Sequence, residues 1–253
     1  MSILLAITTY NEIEITEKCI VSALKSDIPI DILIIDDYSE KENIKSLLKK
    51  YNVQYIGKIS HSGLTPSWNI AYRYFLQNGY EYLFISNNDV LIPIQSIRIM
   101  IEEFKKTDCY IVCPSSTKSG AGIGKCGINQ GITQLKFHPN IDVNDSKNYQ
   151  LVQNLMINDT RYHITENLNI FNGFFFGMSK KIKEFQFDDK NLFNTKLINI
   201  CNEIDLHQRI MKKYPLKILY VPYSFIFHFK AVTIDIRKRD DLTKLENKYK
   251  IKN

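Results

Sequence analysis

The chain of 253 residues has no CxxC pair, and its five cysteines (Cys19, Cys109, Cys113, Cys126 and Cys201) are scattered and odd in number. That argues against a disulfide framework and against a structural zinc site, and leaves free thiols in a reducing compartment. No block of Lys and Arg is interleaved with aromatics, so nucleic acid is not an expected partner. The net charge of +6 is spread along the chain and suits an anionic small ligand instead. No apolar run approaches the roughly 20 residues that a bilayer demands. The opening Met1–Glu12 has neither a basic stretch nor a small-residue cleavage site. The expectation is a cytoplasmic protein without a transmembrane segment, at most peripheral to a membrane. No internal repeat appears, and no G-x-G-x-x-G loop follows any apolar run. The glycine-rich Ser119–Gly127 resembles a phosphate-binding loop only superficially. Ser119 stands where its first Gly belongs, Cys126 where Ser or Thr would be, and no helix pattern follows.

What is present is a regular alternation. Hydrophobic residues make up 44% of the chain, enough for a substantial core. Apolar runs at Ile3–Thr8, Ile30–Ile35, Val53–Ile56, Tyr82–Ile85 and Cys109–Cys113 read as strands. Between them, helical spacing covers Ile13–Ser26, Lys41–Tyr51, Thr65–Asn78 and Ile94–Lys106. Ser39 with Glu42 is read as a capping box, Thr65 with Pro66 as a helix start, and Gly79 as a stop. Residues 1–113 should therefore form a mostly parallel sheet with helices on both faces. From Pro114 to about Glu166 no period persists, and long loops with short hairpin pieces are expected. Beyond it, Asn169–Ile182 reads as a strand broken by Gly173 and Gly177, then a short helix. Asn194–Lys213 reads as a helix, Leu216–Val221 and Tyr223–Phe229 as two strands, and Val232–Lys252 as a charged helical tail. That tail places Leu242, Leu245 and Tyr249 on one face.

Three strands end in polar clusters at one sheet edge: Thr9–Glu12, Asp36–Ser39 and Asn87–Asp89. In open α/β sheets the carboxyl edge is where ligands bind, and Asp89 beside Asn87 and Asn88 offers oxygens to a hard cation holding a phosphate. Asp36-Asp37 can accept hydrogen bonds from a base or ribose. Glu203 and Asp205 in "NEIDLHQR" lie close enough to repel one another, which would raise one pKa and make a base. His228, within "FIFHFKAVT", reads either as a satisfied core residue or as a further ligand to a diphosphate-bound metal.

Taken in order, "TTYNE", "IIDDYS", "GLTPSWNIAYRYF", "FISNNDV", "NGFFFGM", "NEIDLHQR" and "HFKAVT" resemble the family 2 glycosyltransferases, in the branch similar to rhamnosyltransferases. The resemblance implies a GT-A fold: a Rossmann-like, mostly parallel central sheet flanked by helices, with a smaller acceptor-side region. It implies a nucleotide-sugar half at 1–113, an acceptor and catalytic half at 114–235, and a tail at 236–253. It implies that Thr9, Tyr10 and Glu12 line the nucleotide pocket, that Asp37 meets the base, and that Asn69 lies near the sugar diphosphate. Asn87-Asn88-Asp89 falls on the family's DxD signature, with Asp89 and His228 on the metal and Thr233 nearby. Gly173 and Phe174–Phe176 would wall the acceptor, and Glu203 falls on the catalytic base. The implied activity is metal-dependent, inverting sugar transfer from a UDP-, GDP- or dTDP-linked donor to a saccharide hydroxyl, with manganese or magnesium as cofactor. Two other readings stand beside it: a nucleotidyltransferase on a similar sheet, and a non-catalytic nucleotide-sugar or glycan-binding module.

Overall fold

The computed structural model of the chain describes residues 1–40, 44–117, 141–142, 145–167, 172–199 and 202–229. Glu42, the glycine-rich 119–127, Thr233 and the tail 236–253 lie outside the described residues. The expected alternation is present: β1 (Ile3–Thr9), α1 (Ile13–Ala23), β2 (Asp31–Asp36), α2 (Ile44–Leu48), β3 (Gln54–Gly57), α3 (Leu64–Gln77), β4 (Tyr82–Asn87), β5 (Val90–Leu91), α4 (Ser96–Lys106) and β6 (Ile111–Ser116). After it come α5 (Tyr149–Asn158), β7 (Glu166–Asn167), β8 (Phe175–Ser179), α6 (Asn202–Lys213) and β9 (Ile218–His228).

The sheet order is β3-β2-β1-β4-β8-β6-β9-β5, with β7 on β9. The pairs β2/β3, β1/β2, β1/β4 and β6/β9 are parallel, and β8 runs antiparallel between β4 and β6. All seven residues of β1 are buried because its alternate side chains enter two cores. Ile3, Leu5 and Ile7 meet Cys19 and Ile20 of α1 and Met100 of α4. Leu4 and Ala6 meet Trp68, Tyr72 and Phe75 of α3 and Leu206 of α6. A smaller cluster joins Val152 and Met156 of α5 to Phe225 and Phe227 of β9. Among the described residues, no helix is long and apolar enough to cross a membrane.

The structure corrects several local expectations. Thr65 does not cap α3. Gly63 precedes the helix at φ 91°, and the first free amides are taken by distant groups: Leu64 N–H by Asn199 Oδ1 at 3.2 Å and Thr65 N–H by the Ile198 carbonyl at 2.9 Å. Gly79 does end α3: at φ 72° its N–H reaches the Leu76 carbonyl while Tyr80 N–H reaches that of Phe75, a Schellman closure. β4 keeps its ladder through Ser86 and Asn87, so the turn is confined to Asn88-Asp89. β6 continues through Pro114, whose missing amide falls beside a register shift against β9, so the strand crosses the expected boundary at 113. The apolar stretches either side of Pro222 form one strand, not two. Asn194–Asn199 is not helical; α6 starts at Asn202. α5 occupies part of the stretch expected to be loop, its Val152 and Met156 four residues apart on the buried face.

Gly177 lies inside β8, where a Cβ would meet the Phe84 ring of β4 at 2.5 Å. It therefore sets the approach of β8 to β4 instead of breaking the strand. Gly177→Ala is expected to destabilise the fold by about 1–3 kcal/mol through overpacking, read from the midpoint of urea unfolding; an unchanged midpoint would contradict the close approach.

Candidate active site

Strand register brings five strand ends to one edge. The pairs Thr9↔Asp36 and Thr8↔Asn87 set the carboxyl ends of β1, β2 and β4 level. β8 runs the other way, with Phe175 opposite Ser86, so its beginning lies at that edge. β9 ends there at His228, which pairs with Val90 of β5. Phe174 stitches these ends together. Its carbonyl accepts the Asn87 N–H at 2.8 Å, and its ring lies on that of His228, centroids 4.0 Å apart and 12° from parallel. His228 Nε2 stands 3.4 Å from Asp89 Oδ2, and Phe229 N–H donates to the Asp89 carbonyl at 2.9 Å. The preceding Gly173 faces α6, where a Cβ would come within 3.0 Å of Cδ of Glu203.

Asn87-Asn88-Asp89 divides its labour. Asn88 turns inward and donates to Thr16 Oγ1 at 2.9 Å and Thr9 Oγ1 at 3.2 Å. Asn87 Oδ1 and Asp89 Oδ1 are buried with no hydrogen-bond partner. A carboxylate oxygen held out of water without a donor is costly unless a cation completes it. Among the described residues no group of three His, Cys, Asp or Glu side chains converges on a metal position. Asp89 and His228 nevertheless offer one carboxylate oxygen and one imidazole nitrogen, a donor set that fits a divalent cation sharing its remaining positions with phosphate oxygens and water.

The two α6 carboxylates are unlike one another. Asp205 is buried, accepts Asn194 Nδ2 at 3.1 Å, and is paired with Arg209 Nε at 2.9 Å. Arg209 in turn donates to the carbonyls of Phe185 and Leu192, so Asp205 anchors the 185–194 segment. Glu203 has no ion pair and no side-chain partner in any described bond. It is partly open to solvent, and its desolvation lifts its pKa from an ordinary 4.5 to about 7. Burial is the cause, not repulsion from Asp205: residues two apart on a helix do not face one another, and Arg209 already offsets Asp205.

Several of the residues expected on the nucleotide side are already engaged within the protein. Thr9 Oγ1 contacts Thr16 Oγ1 at 2.9 Å. Asn11 and Glu12 are consecutive at φ 54° and 56°, a strained pair at the mouth of the edge, and the Glu12 side chain is exposed. Tyr10 packs on His61, centroids 4.3 Å apart. Asp37 accepts the Ser62 and Gly63 amides at 2.9 and 2.8 Å, pairs with Lys58, and lies 3.1 Å from His61 Nδ1. Asn69 spends both ends of its amide on the backbone of Phe193, at 2.9 and 3.0 Å. Phe175 and Phe176 are wholly buried in opposite cores, so of the expected acceptor wall Gly173 and Phe174 alone lie at the site edge. The sequence reading missed two residues. His61 carries no local signal beyond its turn, and Asn202 is wholly buried beside Glu203 with neither amide atom partnered.

A family model described as glycosyl transferase family 2 matches residues 5–184. No curated protein matches the chain in sequence. Among solved structures, GalNAc-T7 with UDP, GalNAc and Mn2+ superposes with a TM-score of 0.63 at 14% identity, over 91% of this chain and 44% of that one. TarS 1–349 of S. aureus gives 0.58 at 14%, over 90% and 60%. The mannosyltransferase PcManGT of Pyrobaculum calidifontis in complex with GDP-Man and Mn2+ gives 0.57 at 12%, over 89% and 56%. The chain thus spans between 44% and 60% of these structures, and the likeness establishes a GT-A fold.

Because the Glu203 carboxyl binds its proton more tightly folded than unfolded, it costs the fold stability as pH rises from about 4.5 to about 7. Glu203→Gln should unfold at higher temperature than wild type at pH 8, by roughly 1–3 kcal/mol in stability, with the gap closing by pH 5. Equal melting temperatures at both pH values would contradict an uncompensated carboxylate.

Proposed function

The chain belongs to glycosyl transferase family 2, and we propose that it transfers a sugar, with inversion, from a nucleoside-diphosphate donor to an acceptor hydroxyl. The observation that carries this reading is the stitch at the sheet edge. A carboxylate raised to about 7 sits against Gly173, one residue from the ring that lies on His228, and His228 adjoins the buried, half-partnered Asp89. A carboxylate suited to act as a base and a pair suited to hold a cation thus share one scaffold.

In the proposed reaction the acceptor hydroxyl approaches Glu203, whose ionised carboxylate takes the proton as the oxygen attacks the anomeric carbon. A new carbon–oxygen bond forms on one face while the bond to the diphosphate breaks on the other, its electron pair leaving with the nucleoside diphosphate. Asp89 and His228 would hold a divalent cation, manganese or magnesium, whose charge offsets that developing on the leaving group. GalNAc-T7 and PcManGT were each solved with Mn2+ and a nucleotide or nucleotide sugar, which supports this donor class. Glu203 near pKa 7 suits a general base, since such groups work best when their pKa lies close to the ambient pH. Asp205 keeps a positioning role: it holds the segment that includes Phe193 and Asn194, and Phe193 packs on Trp68. The donor sugar, its base and the acceptor are set by contacts beyond this machinery.

A screen of UDP-, GDP- and dTDP-sugars for release of nucleoside diphosphate tests the reading. One donor is expected to be turned over in a manganese- or magnesium-dependent way, with kcat/KM rising with pH to a plateau above about 7, because only the ionised base accepts a proton. Glu203→Gln should lower the rate about 100- to 10,000-fold and remove that pH dependence; Asp89→Ala should abolish the metal stimulation. Donor binding without turnover across a broad acceptor mixture would overturn the enzyme in favour of a binding module.

A further inference from the structure

α3 starts at the edge that carries the site, since the end of β3, where Gly57 stands level with Asp36, leads into it through the 58–63 loop. A helix start leaves amides open that suit an anion. Here they are spent. Gly63 N–H goes to Asp37 Oδ2 at 2.8 Å, Leu64 N–H to Asn199 Oδ1 at 3.2 Å and Thr65 N–H to the Ile198 carbonyl at 2.9 Å, and Pro66 has no amide. The helix start receives another segment of the chain where it could have received a ligand.

That segment, 192–199, is a strap between α3 and α6. Near its beginning it is fixed to both helices. Asn69 of α3 holds the Phe193 backbone, while Asp205 and Arg209 of α6 hold the Asn194 side chain and the Leu192 carbonyl. The strap then turns on itself, with Lys196 N–H reaching Asn194 Oδ1 at 3.1 Å and Leu197 N–H the Asn194 carbonyl at 3.0 Å. At its end Ile198 and Asn199 lie against Gly63, where a Cβ would stand 2.5 Å from both Asn199 Oδ1 and Ile198 Cγ2. Asn199 is exposed, and Glu203 follows it by four positions.

We infer that Asn199 is a positioning residue for sugar transfer: by closing the start of α3 it holds the strap that seats the first turn of α6, and so sets how deeply Glu203 lies against Gly173. This rests on the proposal above that Glu203 is the base. Asn199 acts through that carboxylate and not on a substrate. The charged groups of α6 leave Glu203 to its burial: Asp205 is paired with Arg209, and desolvation keeps His207, one turn further on, neutral with a pKa of about 4. Loosening the strap therefore admits water to Glu203 and lets its pKa fall toward the ordinary 4.5.

Titration of Glu203 by NMR of carboxyl-13C-labelled protein needs no donor and tests the inference directly. Asn199→Ala is expected to lower the Glu203 midpoint by about one unit or more. Its melting temperature should fall by no more than about 4 °C, as befits one exposed hydrogen bond. Asn199→Asp, which keeps an acceptor for the Leu64 amide, should not lower the midpoint. With a donor that wild type turns over, Asn199→Ala should reduce kcat about ten- to a hundredfold yet leave nucleoside-diphosphate affinity within about threefold, because misplacing a reacting group costs rate and not binding. Asn199→Asp should restore most of that rate. A midpoint or a kcat that Asn199→Ala leaves unmoved, or a midpoint that Asn199→Asp lowers as far, overturns the inference while the transferase reading stands. If wild-type Glu203 titrates near 4.5, the assignment of the base falls and the inference with it.

Discussion

Phe174 is the residue on which the edge of the sheet depends. It immediately precedes β8, which runs against both β4 and β6, so it arrives where those strands finish. From there its carbonyl fixes Asn87, its ring fixes His228, and the residue before it leaves room for Glu203. A chain with only parallel strands would end every strand at this edge and would have no strand start there. The reversal of β8 supplies a backbone that approaches from the opposite side and closes the site between α6 and β9.

The electrostatic arrangement follows from the same geometry. Polar groups that make the scaffold are paired, as Asn88 with Thr9 and Thr16, Asn69 with Phe193, and Asp205 with Arg209 and Asn194. Groups that face the proposed chemistry are left short of partners: Asp89 Oδ1, Asn87 Oδ1 and the Glu203 carboxylate. Folding alone would favour the opposite choice, because unsatisfied buried polar atoms cost stability. The contrast in partners separates Glu203 from Asp205 where charge and spacing do not.

Much of this was legible in the chain. The buried strands read as short apolar runs, and their polar endings come together at one edge as expected, because a parallel sheet imposes both features locally. The helix stop at Gly79 is equally local. What the sequence concealed depends on distant partners. The start of α3 is satisfied by Ile198 and Asn199, more than 100 positions away, so Thr65 gave a false cap. Asn69 looked like a ligand contact, but its amide is bound to Phe193, and Phe175 like a wall, but it is enclosed in the core beneath α1 and α4. Asp37 looked free, but the 58–63 loop folds over its carboxylate.

In the proposed reaction the unpartnered oxygen of Asp89 is reserved for a cation bridging the protein to a diphosphate. Uptake of Mn2+ by the wild-type protein in the presence of UDP, GDP and dTDP together, followed by electron paramagnetic resonance, measures this directly. The account predicts that the diphosphates promote Mn2+ binding and that Asp89→Asn weakens it by at least about tenfold without lowering the melting temperature, one charged ligand being worth about 1.4 kcal/mol or more. An Asp89→Asn protein that takes up Mn2+ and diphosphate as tightly as wild type would contradict it.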